Sequence, residues 1–152
     1  QMKSKSIATA YQQVKKFNEI AGTLDNPTLE TVDLYNSLGF EELSESIAAL
    51  EENDPIEILD GALDEFYIIC GKLQILEKIG YNVEEGLKRV CENNLTKFPP
   101  VEKADSIWPE EYKKFYNDKH NVIVLKNQAG KIMKPPGFKP VDISDCIPKE
   151  VV

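Results

Sequence analysis

Residues 54–80 read Asp54-Pro-Ile-Glu-Ile-Leu-Asp60-Gly-Ala-Leu-Asp64-Glu-Phe-Tyr-Ile-Ile-Cys70-Gly-Lys-Leu-Gln-Ile-Leu-Glu-Lys-Ile-Gly80, and this stretch decides the fold. Asp54 suits an N-cap, Pro55 the first helical position and Glu57 the third position of a capping box, while Gly80 supplies the stop. Between these ends Ile56, Leu59, Leu63, Phe66, Cys70 and Leu73 alternate steps of three and four, the seam of a helix packed in a bundle. Gly61, Ile68, Gly71 and Ile75 form a second, small-and-apolar face. A helix buried on two sides is therefore expected, with Gly61 and Gly71 admitting a partner helix at a subunit interface.

Working outward, Ile7, Tyr11, Val14 and Phe17 have helical spacing, so a first helix is expected from Ser6 to Ala21, stopped by Gly22. After the turn at Asn26-Pro27-Thr28, a second helix from Leu29 to Leu50 places Val32, Tyr35, Leu43, Ile47 and Leu50 on an apolar stripe. Asn82 with Glu85 opens a fourth helix with Val83, Leu87, Val90 and Cys91 inward, ending before Pro99-Pro100. A short helical stretch is expected from Trp108 to Tyr116. Val122–Leu125 and Lys131–Met133 flank Asn127-Gln-Ala-Gly130, a hairpin signal. The tail with Pro135, Pro136, Pro140 and Pro148 reads as extended and laid over the helices. The expected fold is all-α: an antiparallel bundle of four or five helices, residues 6–98, with a short C-terminal β-hairpin and extended tail, residues 118–152, in one domain spanning 1–152.

A chain of 152 residues, 41% hydrophobic, can bury a real core. Its formal charge of −8 argues against binding a nucleic-acid polymer, which needs clustered Lys and Arg. The N-terminus lacks a signal-peptide core and no apolar run approaches a membrane span, so the expected location is cytoplasmic, with Gln1 a cloning remnant. Cys70, Cys91 and Cys146 are too widely spaced for a disulfide framework or a zinc site, and Cys70 and Cys91 read as buried thiols. His120 is the only histidine, which leaves Ser-His and Cys-His nucleophile designs without a base unless it serves. There is neither a G-x-S-x-G nor a Gly-rich phosphate loop.

Carboxylates remain as the chemistry of note. Glu42 and Glu45 are three apart, Glu41 and Glu45 four, and Asp60 and Asp64 four, so each set shares a helix face. No Lys or Arg occurs between Lys16 and Lys72. Carboxylates crowded without countercharge repel and raise one another's pKa unless cations bridge them, and magnesium shares its shell between carboxylates and substrate phosphates.

The ordered succession Glu42-x-x-Glu45, then Asp60-Gly-Ala-Leu-Asp64-Glu-Phe-Tyr-Ile, Gly71, Gly80-Tyr-Asn, Asn94-Leu-Thr-Lys97 and Gly130-Lys-Ile-Met-Lys-Pro-Pro136 resembles the all-α nucleoside triphosphate pyrophosphohydrolases. That superfamily includes MazG-like proteins, dimeric dUTPases and phosphoribosyl-ATP pyrophosphohydrolases, and the likeness is nearest to small bacterial and phage MazG-like proteins. It runs from Val14-Lys-Lys-Phe17 to Pro140-Val-Asp142. The resemblance implies hydrolysis between the α and β phosphates of a nucleotide, releasing a monophosphate and pyrophosphate, with magnesium or manganese held by an E-x-x-E pair and a later E-x-x-D pair.

Glu42 and Glu45 match the first pair. Glu57-Ile-Leu-Asp60 matches the second by its letters, but the apolar run that follows the family Asp begins after Asp64, whose partner position is Gly61. Asp60 and Asp64 are therefore the favoured ligands, with Glu57 behind them as a helix cap. Glu41 is the candidate to orient or deprotonate water. By resemblance Asn94 and Lys97 contact the nucleotide, and Lys131 and Lys134 lie in a segment able to close over it, Lys134 as a substrate contact. A homodimer or homotetramer is expected. The alternatives are phosphoribosyl-ATP hydrolysis and a non-catalytic nucleotide- or metal-binding module, which Gly61 keeps open.

Overall fold

A computed structural model describes residues 4–104 and 106–151; the reading of Gln1 lies outside them. The protein is mostly helical: α1 Ser4–Ile20, α2 Leu29–Glu51, α3 Pro55–Ile79 and α4 Val83–Leu95 are followed by β1 Lys113–Asn117 and β2 Val122–Lys126. Short 3-10 turns lie at Val101–Lys103, Ser144–Cys146 and Lys149–Val151. No described helix is long and apolar enough to cross a membrane. The chain folds into two compact units, residues 1–83 with 147–152, and residues 84–146.

In the first unit, α2 begins where the Thr28 hydroxyl accepts from the Glu30 N–H at 3.2 Å while the Thr28 N–H donates to Thr31 Oγ1 at 3.1 Å, a reciprocal cap. Asn53, in the left-handed region at φ 52°, closes the turn into α3. Asp54 Oδ1 then accepts from the Ile56 and Glu57 N–H groups at 3.1 and 3.2 Å. So short a turn forces α2 and α3 to run antiparallel.

Their contact is set by glycine. A Cβ on Gly61 would lie 2.5 Å from Ser46 Oγ, and one on Gly71 2.6 Å from the Tyr35 ring. Across this close approach Leu24, Tyr35 and Ile75 form the core, with Val32, Leu38, Ile68 and Ile79 packed around them. The buried polar groups are satisfied in series. Tyr35 Oη donates to Asn18 Oδ1 at 2.9 Å, Asn18 Nδ2 to Gln74 Oε1 at 3.1 Å, and Gln74 Nε2 to the Tyr11 carbonyl at 2.9 Å. This chain ties α1 to both α2 and α3, because an unmet polar group here would cost about 1–3 kcal/mol.

The two faces of α3 are thus the reverse of the sequence expectation. The small face meets α2 and α1 of the same chain rather than a partner's helix. Most of the large-residue seam is open instead: Ile56 is 76% exposed, Leu59 61% and Leu63 57%, and Leu43, Ile47 and Leu50 on α2 are exposed as well. Glycines permit the closest backbone approach, so the in-chain neighbour takes that face and the bulky residues are left outside it.

In the second unit β2 buries Ile123 and Leu125 on one face, as its alternation dictates. Its full-length partner is β1, paired antiparallel with Phe115 opposite Val124, while the expected 131–133 segment pairs more briefly on the other edge, bridging Lys126 to Ile132 with the Met133 N–H donating to the Leu125 carbonyl at 2.8 Å and the Asn127 N–H to the Lys131 carbonyl at 2.9 Å. The expected helix over 108–116 is absent. Asn117 accepts from the His120 N–H at 3.1 Å and Asn121 adopts φ 54°, so a turn of Asn, Asp and His residues folds Phe115 and Tyr116 back as a strand. Pro99 and Pro100 line the other edge of β2, where the Ile123 N–H donates to the Pro99 carbonyl at 2.7 Å.

The tail is anchored to α4. Arg89 forms a two-pronged ion pair with Asp145 and donates to the Asp142 carbonyl, while the Asn93 amide donates to the Lys139 carbonyl and accepts from the Val141 N–H. The Arg89 bond holds the Asp145 carboxyl below its usual range. Cys70 and Cys146 are buried, but Cys91, expected inward, is exposed on the outer side of α4.

Candidate functional site

The first acidic cluster sits in the middle of α2, held against α3 by the Gly61–Ser46 contact. Ser46 Oγ donates to Glu65 Oε2 at 2.8 Å, fixing the rotation of the two helices about each other. That rotation brings Asp64 toward Glu42. Glu42 is half-buried, and its Oε2 is shielded from water with no hydrogen-bond donor among the described residues.

Burial pushes the Glu42 carboxyl up from its ordinary value, and the charges of Glu45, Asp64 and Glu41 push it further. An N–H or ammonium beside Glu42 would act in the opposite sense. Thus Glu41, Glu45 and Asp64 all act on Glu42, Asp64 from the neighbouring helix. Asp60, one turn earlier on α3, is exposed and is not among the charges that raise Glu42.

Glu57 is also exposed, and its side chain makes no hydrogen bond among the described residues, so Asp54 caps α3 by itself. The expected capping-box role for Glu57 is not realised. Gly61 has a steric reason to be glycine, independent of any ligand set, because a side chain there would collide with Ser46.

Among the described residues no three carboxylates, thiols or imidazoles converge in a way that would hold a cation by themselves. Glu42, Glu45 and Asp64 fit a smaller contribution. Magnesium characteristically takes one or two carboxylates and completes its shell with water and substrate phosphate oxygens, and the undonated Oε2 of Glu42 is an oxygen of the right kind.

The substrate residues expected from the sequence belong to the second unit. Lys97 Nζ lies 5.9 Å and Lys134 Nζ 5.8 Å from the centre of the Phe138 ring, which brings these two together. Asn94 is exposed on the last turn of α4, and Lys131 is exposed beyond β2. Beside the lysines is a cavity of about 450 Å³ walled by Phe98, Trp108 and Phe138, with Lys103 and Lys139 at its margin. Sequence reasoning passed over Trp108 and Phe138; their signal was an aromatic set beside the Pro99-Pro100 and Pro135-Pro136 pairs. Compared with family models, curated proteins and solved structures, the chain matches none.

Proposed function

We propose that the protein is a magnesium-dependent nucleotide pyrophosphohydrolase of the all-α kind, cleaving between the α and β phosphates to give a monophosphate and pyrophosphate. The observation that carries this reading is Glu42: a carboxylate with an undonated, buried oxygen, crowded by three further carboxylates in a stretch with no Lys or Arg. Such a group is costly in the cation-free protein, and a divalent ion is the simplest species that relieves it.

Glu42, Glu45 and Asp64 would hold the ion, with Asp60 exposed one turn earlier on α3. When bound, the ion supplies charge stabilisation at the phosphate oxygens. The chain's own residues do the rest. Glu41, exposed beside the cluster, orients the attacking water and accepts its proton; Glu45 and Asp64 raise the cost of the bare Glu42 carboxylate, which a divalent ion would relieve.

The test is a panel of canonical and modified nucleoside triphosphates and phosphoribosyl-ATP, incubated with magnesium or manganese and scored for pyrophosphate. Metal-dependent release from at least one is expected, and which one responds separates triphosphate from phosphoribosyl-ATP hydrolysis. Absence of release from all of them, with the protein folded, would leave the non-catalytic binding module as the reading.

A further inference from the structure

The strand pair of the second unit has one paired outer edge and one open one. On the paired side the Ile123 N–H donates to the Pro99 carbonyl at 2.7 Å and the Leu125 carbonyl accepts from the Met133 N–H at 2.8 Å, so both residues turn their backbone groups away from β1. In an antiparallel pair the residues directly opposite do likewise. Those are Tyr116 and Lys114, whose N–H and C=O groups point outward from β1, where no described backbone group meets them. The strand is regular over Lys113–Asn117, and its rings are open to solvent, Phe115 48% and Tyr116 54% exposed.

Charge decides what such an edge accepts. Lys113 lies directly opposite Lys126, and like charges so placed destabilise a strand pair. Lys114 and Lys119 add to them, Asp118 is the only acid in residues 113–126, and no described carboxylate forms an ion pair with any of these four lysines. This basic stretch sits in a chain of formal charge −8. A second copy of the same edge would bring the lysines together, which is how edge lysines keep strands from pairing with themselves. An acidic strand would instead offset the repulsion between Lys113 and Lys126. Alternation fixes its pattern: Lys113, Phe115 and Lys126 stand on the more open face, whereas Tyr116 continues the face on which Ile123 and Leu125 are buried.

We propose that β1 is a docking edge for an extended segment of a partner protein in which acidic and apolar residues alternate. The segment pairs with the outward N–H and C=O groups of Lys114 and Tyr116, sets its acids beside Lys113 and Lys126, and covers the Tyr116 ring with its apolar residues. A single-stranded nucleic acid would match the charge but leave those backbone groups unused.

The probe is a blocked, dye-labelled peptide of nine residues alternating glutamate and valine, titrated into the full chain at low salt and followed by anisotropy. Saturable binding is expected, at least about tenfold tighter than that of the same peptide with lysine in place of glutamate. N-methylating either the valines or the glutamates blanks one edge of the peptide without changing its charge, and one of the two forms should bind at least about tenfold more weakly than the other. Bound peptide should slow hydrogen exchange at the Lys114 and Tyr116 amides. Lys113→Glu replaces a like-charge pair with an opposite one, so the hairpin is kept; it should weaken the glutamate peptide about tenfold and strengthen the lysine peptide.

No saturable binding of the glutamate peptide would overturn the proposal. Equal binding of both N-methylated forms and the parent would do so too, since charge alone would then account for it. Tighter binding of oligothymidylate than of the peptide would make the patch a nucleic-acid surface instead. Protection of the Lys114 and Tyr116 amides that grows with protein concentration, without peptide, would assign the edge to a second copy of this chain.

Discussion

Glu42 carries the largest share of the functional argument, and its chemistry predicts opposite effects on stability and activity. Its pKa is raised in the folded protein, chiefly by burial and then by Glu45. The folded state therefore holds this proton more tightly than the unfolded chain. Its contribution to stability is complete below the unfolded value and is lost as pH rises through the folded one. In chelator, Glu42→Gln should melt with the parent near pH 4 and progressively above it toward pH 7, followed by thermal unfolding at each pH. The same substitution should lower pyrophosphate release by about 100-fold or more, in the range of losing a principal electrostatic contact. Unchanged release would remove Glu42 from the site. Asp64→Asn should lose activity because Asp64 acts on Glu42 directly. Glu57→Gln should retain it, now on the ground that Glu57 is exposed on the first turn of α3 rather than that it caps the helix. Reversed rates for these two variants would identify Glu57 and Asp60 as the working pair.

At the level of elements, the α2–α3 pair is held in rotation by one glycine. In an open helix Gly61→Ala would gain close to 1 kcal/mol of helix propensity. Here the added Cβ meets Ser46, including its backbone Cα at 3.3 Å, so the helices must part. Overpacking of this kind costs about 1–3 kcal/mol and outweighs the propensity gain. Urea unfolding should show a net loss, and pyrophosphate release should fall with it as Asp64 moves away from Glu42. A stabilised Gly61→Ala variant would mean that Ser46 yields without cost. The ends of α2 and α3 were legible in the sequence because Thr28, Asp54, Pro55 and Gly80 act on groups within a few residues of themselves. The pairing of β2 with β1 was not. The 113–117 strand has only Phe115 and Tyr116 to mark it, and its pairing depends on a turn whose decisive residue, Asn121, shows its left-handed conformation only in the folded chain.

Across the whole molecule, charge and apolar surface are unevenly distributed. Residues 17–71 contain no Lys or Arg, whereas most of the lysines fall within 84–146. The seam of α3 and the outer side of α2 leave Leu43, Ile47, Leu50, Ile56, Leu59 and Leu63 exposed together on the first unit. Monomers rarely show so many large apolar side chains on neighbouring helices, and pairing with a symmetry mate is the usual way to cover them. A homo-oligomer is therefore predicted, by light scattering at micromolar concentration, and Ile56→Gln combined with Leu59→Gln should shift it to the monomeric mass. A parent that stays monomeric as concentration rises would refute this. The sequence by itself determined where α2 and α3 begin and end, the acidic pairs on their faces, and the absence of local countercharge, because these depend on residues one to four positions apart. Only the tertiary structure decided which face of α3 is covered, that Asp64 rather than Asp60 acts on Glu42, and that Phe98, Trp108 and Phe138 wall one cavity. Those outcomes depend on how closely two backbones can approach and on contacts between residues tens of positions apart, and neither is written in local spacing.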